Sequence, residues 1–101
     1  MYFSGRGMSP DPAEAAKWFR RAADQGHVSA QYALGLMYKE GTGLAKDLVR
    51  AYMWLDLATI LAKGETRDVL ARTRDDLAKT MTDDQITQAE GLAREWKAKP
   101  R

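Results

Sequence analysis

The chain has no cysteine, one histidine and three prolines in 101 residues. Without cysteine it can build neither a disulfide framework nor a thiolate metal site, and cysteine usage says nothing about its compartment. A single histidine, His27, leaves a hydrolytic triad, a His pair or a structural His-based metal site without support. No apolar run approaches the roughly 20 residues of a membrane-spanning helix. The start, Met1-Tyr2-Phe3-Ser4-Gly5, lacks a basic region followed by an apolar one, so no targeting signal is visible. The compartment stays open: cytoplasmic or, after processing of a longer precursor, periplasmic or secreted. Charge of one sign is also lacking. Sixteen Lys and Arg face fourteen Asp and Glu, a formal charge of +2, with the signs interleaved. The small basic excess gathers at Arg94, Lys97, Lys99 and Arg101, which reads as a helix end and a frayed tail rather than a nucleic-acid patch.

The composition, 45% hydrophobic and 30% charged, is ordinary for one small globular domain. A domain of this size gains limited stability from its core and has little room for an enclosed active site.

The strongest signal is internal repetition. A shift of 36 positions pairs Tyr2 with Tyr38, Gly5 with Gly41, Gly7 with Gly43, Asp11 with Asp47, Ala15 with Ala51, Trp18 with Trp54 and Ala22 with Ala58. Composition alone yields about one or two such identities in a window of this length, and a period of this size marks a solenoid or array. The spacing inside each unit is helical. Ala15, Trp18, Phe19 and Ala22 follow the i, i+3, i+4, i+7 rule, and Ala51, Tyr52, Leu55 and Ala58 repeat it. The second segment adds Met53, Trp54, Leu57, Ile60 and Leu61, becomes apolar nearly all round, and is expected at the centre of the core. A second helix type, Val28 to Glu40, carries Ala30, Leu34 and Tyr38 at four-residue spacing, with Gly35 permitting close approach of another helix.

Boundaries are equally marked. Asp11 and Pro12 form an N-cap and first-turn proline, Asp47 caps the equivalent helix, and Gly26 and Gly64 stand where left-handed C-terminal caps are expected. Gly5-Arg6-Gly7 and Gly41-Thr42-Gly43 lack a following Gly-Lys-Ser/Thr and read as turns, not phosphate loops. Beyond Gly64 the pattern decays. Leu70 still lies 36 past Leu34, and Thr82-Asp83-Asp84-Gln85 is a capping box that opens a last helix, whose stripe Ile86, Ala89, Ala93 and Trp96 should close the core across the end of the stack.

These residues resemble the Sel-like repeat (SLR) family, a relative of the tetratricopeptide repeats built from antiparallel helix pairs. The resemblance rests on Ala30-Gln31-Tyr32-Ala33-Leu34-Gly35-Leu36-Met37-Tyr38, then Gly41-Thr42-Gly43, Asp47, Ala51, Trp54 and Ala58, with a partial copy from Tyr2 to Gly26. The ending from Met81-Thr82 to Ala93-Arg94-Glu95-Trp96 looks like the C-terminal segment of bacterial members. It implies an all-α, right-handed α-solenoid with a C-terminal capping pair: a partial first repeat over 1–27, a second over 28–63, and a degenerate repeat with capping helix over 64–101. Tyr2, equivalent to Tyr38, follows Met1 at once, so the first helix of the first unit is missing. The helix from Pro12 is then expected to expose the stripe around Trp18 and Phe19, as in a fragment of a longer protein or a chain that self-associates through this uncovered face.

The acidic pairs Asp75-Asp76 and Asp83-Asp84 do not make an acid–base couple, because adjacent helical residues face apart. Most of the aromatics Tyr2, Trp18, Tyr38, Tyr52, Trp54 and Trp96 sit on repeat-spaced inward stripes, and read as core rather than as a base-stacking platform. His27 falls at an inter-helix turn and reads as surface. By its likeness to the tetratricopeptide arrays, the chain is expected to turn Ser29, Tyr32, Leu36 and Lys39 toward a concave side, with Tyr32 and Leu36 as an anchor and Lys39 at its rim. The expected function is a non-catalytic scaffold or adaptor that binds a protein or peptide, with no cofactor, no metal, no nucleic acid and no membrane insertion. The alternatives are the structural cap of a longer array and, disfavoured, a hydrolase.

Overall fold

The computed structural model describes residues 11–96. Tyr2, Gly5, Gly7, Lys97, Lys99 and Arg101, named above, lie outside them. Five helices follow one another: α1 Pro12–Asp24, α2 Val28–Glu40, α3 Leu48–Leu61, α4 Gly64–Ala78 and α5 Asp83–Glu95. No strand occurs among the described residues, and the fold is an all-α helical-repeat solenoid.

Local chemistry sets the helix ends. Asp11 Oδ1 accepts hydrogen bonds from the backbone N–H of Ala13 at 3.0 Å and Glu14 at 3.4 Å, with Pro12 at the first helical position. Asp47 repeats the device on Arg50 N–H at 3.0 Å. At α5 the capping box is complete: Gln85 N–H donates to Thr82 Oγ1 at 3.1 Å and Thr82 N–H to Gln85 Oε1 at 2.9 Å. Gly41 ends α2 in the left-handed conformation, φ +73°, its N–H donating to Met37 O at 2.7 Å. Gly43, φ +79°, has the carbonyl of Pro12 where a Cβ would stand, so the α2–α3 turn lies directly on the start of α1. Gly64 departs from expectation. Its φ is +62°, but it opens α4 instead of capping α3. Ala62 and Lys63 are extended and carry the chain across before the next helix begins.

The centre of the core is α3. Ala51, Tyr52, Met53, Trp54, Leu55, Leu57, Ala58 and Thr59 are all buried, because α2, α4 and α5 each pack on this one helix. Each large apolar side chain withdrawn from water there contributes about 1.5–3 kcal/mol. Gly35 is the close-approach point: a Cβ there would lie 2.9 Å from Leu55 Cγ and 3.3 Å from Ala51 O, so α2 reaches α3 only because that atom is missing. Buried Gln31 links α2 to the end of α1 by donating from Nε2 to Ala23 O at 3.2 Å.

The expected stripes hold with one correction. On α1, Trp18 is 58% exposed, as expected, while Ala16 and Ala23 are buried and Phe19 packs against the first cluster. On α3, Ile60 and Leu61 are exposed while Ala58, Thr59 and Ala62 around them are buried, because the last turn is covered on one side only. The α5 stripe closes the core as expected, with Ala89 and Ala93 buried and Ile86 and Trp96 packed beside them. It does so along the flank of α3, and α4 and α5 scarcely touch. α4 buries only Leu70 and Leu77, whereas α3 is buried along most of its length and takes the stripe of α5.

Two polar ties fix the terminal helices. Arg74 Nη1 donates to Asp56 Oδ1 at 2.9 Å between α4 and α3, and Tyr52 Oη to Glu90 Oε2 at 3.4 Å between α3 and α5. Burial pushes the Tyr52 hydroxyl above the ordinary tyrosine range against the opposing charge of Arg74, with Asp56 and Glu90 acting in the same sense as burial. Partial burial works against the Arg74 charge, yet its hydrogen bonds to Asp56 and Asp75 hold it above its usual value.

Candidate interaction surface

Because α2 and α4 both lean on α3 and hardly meet each other, a groove opens between them. The three helices are joined by short turns, so the first turns of α2 and α4 flank the last turn of α3. There Ala58, Ala62 and Leu70 form a buried floor, with Val28 and Tyr32 packed against it. The groove above it, about 220 Å³, is lined by Val28, Ser29, Tyr32, Thr66, Val69 and Leu70. None of these side chains carries a charge. Val69 is 53% exposed, and the hydroxyls of Ser29, Tyr32 and Thr66 supply the only side-chain polar groups in the lining. Such a surface takes an apolar side chain and orients it with a few hydrogen bonds.

Of the four residues expected on the partner side, the groove brings together two. Ser29 is exposed and Tyr32 half-buried, both on its wall. Leu36 and Lys39 are half-buried further along α2 and do not line it. Tyr32 also packs on the second and third clusters, so it belongs to the core and the groove at once. Sequence reasoning overlooked Val28, Thr66 and Val69. Val69 left a signal, being a β-branched apolar residue one position before Leu70 in an otherwise polar helix and hence about 100° around from the buried line.

His27 is exposed at the N-cap of α2, without a side-chain capping bond. Asp75 pairs with Arg74 and Asp76 with Lys79 on the outside of α4, and Asp83 and Asp84 occupy the first turn of α5. Among the described residues, no group of three His, Cys, Asp or Glu side chains is arranged to share a metal ion, and no helix is long and apolar enough to cross a membrane.

The profile of the Sel1 repeat matches residues 1–27 and again 28–61. The chain belongs to the Sel1 repeat family. It is 32% identical over 85 residues to the alginate biosynthesis protein AlgK of Azotobacter vinelandii, a match taking in 82% of this chain and 18% of that protein. It is also similar to the crystal structure of c5321, a protective antigen present in uropathogenic Escherichia coli strains and displaying an SLR fold. That superposition has a TM-score of 0.81 at 34% identity and covers 92% of this chain and 19% of the other. The chain therefore spans less than a fifth of the length of either relative. Sel1 and SLR-fold relatives point to a protein–protein interaction repeat module.

Proposed function

We propose that this Sel1 repeat chain is a non-catalytic scaffold or adaptor module that binds a protein or peptide segment by accepting an apolar side chain between α2 and α4. The observation that carries the reading is the uncharged groove itself, open beside exposed Val69 and floored by Leu70, on a rigid three-helix frame. Tyr32 is the anchor of the wall and Ser29 its rim; Leu36 and Lys39, further along α2, extend the contact when the bound segment is long enough. The experiment is affinity capture with the chain as bait, comparing wild type with Val69→Asp and with Tyr32→Ala plus Leu36→Ala, each checked for folding by circular dichroism. A charge at Val69 should reduce capture of a specific partner at least tenfold, the cost of about 1.4 kcal/mol or more expected when an interface anchor is lost. Capture that both folded variants leave unchanged rules the groove out.

A second reading, the structural cap of a longer array, is supported by the outward face of α4. Asp68, Arg72, Asp75, Asp76 and Lys79 line it and make it the polar surface on which an array ends. Under that reading the variants have no effect, and partner binding requires repeats outside this chain.

A further inference from the structure

The side of α1 turned away from α2 differs from both the groove and the face of α4. Its exposed residues Glu14, Lys17, Trp18 and Arg21 fall at i, i+3, i+4 and i+7 and form one stripe along the helix. Beside the stripe runs a hollow of about 560 Å³, with Ala13 and Ala16 as small lining residues and Gly43 and Leu44 at its edge. Trp54, the repeat equivalent of Trp18, shows what such an indole has when it is covered: the Arg20 guanidinium 5.8 Å above its ring and the edge of Trp96 at 6.2 Å. Among the described residues, the partner of the Trp18 ring is Arg21 of its own helix, at 5.0 Å.

We propose that this stripe binds the same stripe of a second copy of the chain, the two α1 helices lying antiparallel about a twofold axis that passes between Lys17 and Trp18. The argument is self-complementarity. Read in one direction the stripe is acid, cation, aromatic, cation. Reversed against itself, it sets Glu14 opposite Arg21 of the second copy and Lys17 opposite Trp18 of the second copy, so every position meets an attracting one and each contact occurs twice, as a twofold interface requires. The outward face of α4, lined by Asp68, Arg72, Asp75, Asp76 and Lys79, has no aromatic to bury. A single helix face from each copy is small beside stable dimer interfaces, so the association is weak and concentration-dependent.

Sedimentation from low to high micromolar concentration tests this, on wild type, Glu14→Arg, Arg21→Glu and the double variant. Wild type dimerises. Each single variant sets like charges opposite each other at both ends of the stripe and weakens the dimer roughly tenfold or more. The double variant restores the homodimer, and an equimolar mixture of the two single variants forms a heterodimer. All four residues are exposed, so circular dichroism should show unchanged folding. A wild-type chain that stays monomeric, whether its α1 face is bare or taken by a different protein, overturns the proposal, as does a dimer that both single variants leave intact.

Discussion

Helices α1 and α3 are two copies of one motif in two surroundings. Both start at an aspartate that accepts backbone N–H bonds, and both carry alanine and tryptophan at matching places: Ala15 and Ala51, Trp18 and Trp54, Ala22 and Ala58. Yet Trp54 is 2% exposed and Trp18 stands in solvent, because α3 is covered by three helices and α1 is packed by α2. The other positions have diverged with their neighbours. Ala16, Lys17 and Arg21 in α1 become Tyr52, Met53 and Leu57 in α3, where α5 lies against them. The shared residues define a helix and its ends, and the residues that differ record how many neighbours it has.

Breaking the pair at the tryptophans gives the largest effect. Trp54→Ala should cost about 3–5 kcal/mol, much of the total for a domain of this size, whereas Trp18→Ala should stay within about 0.5 kcal/mol at low protein concentration. Urea midpoints of the two variants measure the contrast directly. Equal losses would mean that the α1 face is buried in solution.

The seat that α3 provides can be strained from the other side. Gly35→Val puts a branched side chain into the space held by Leu55 and the Ala51 carbonyl, for a loss of about 2 kcal/mol. Thermal denaturation that shows no loss would mean that α2 and α3 stand further apart than described.

The smallest effect concerns pH. Tyr52 occupies the α3 position whose counterpart in α1 is Ala16, so only the α3 seat holds a titratable group. Since burial raises the folded-state value, the neutral phenol's contribution is fully present below the unfolded value of about 10 and is lost as pH rises through the folded value. Tyr52→Phe should therefore flatten the fall of stability as pH rises past about 10, relative to wild type. Identical slopes in urea titrations would show that the hydroxyl ionises as freely in the folded chain as in the unfolded one.

Much of this architecture was legible because its causes are local. Asp11, Asp47 and the Thr82–Gln85 box act within one helical turn, and Gly35 announces a close contact by lacking a side chain. The central place of α3 was legible too, since only a helix surrounded by neighbours tolerates apolar residues on every side. What stayed hidden depends on relations between helices. Nothing within α5 says that it lies on α3 rather than α4, and nothing near Gly64 says that two extended residues precede it. The groove is the clearest case, because it exists only through α2 and α4 leaning apart on a common support. Ser29 and Tyr32 were therefore named from the α2 side alone, while Val69 across from them passed as part of a polar helix.

Amide hydrogen exchange of the chain alone and with its captured partner, below the concentration at which the chain pairs with itself, tests the groove most directly. Added protection should concentrate in the first half of α2 and over residues 65–73 of α4, with α1 and α5 unchanged. Protection confined to α1 or α5, with α2 and α4 exchanging as before, would contradict the assignment of the partner to the groove.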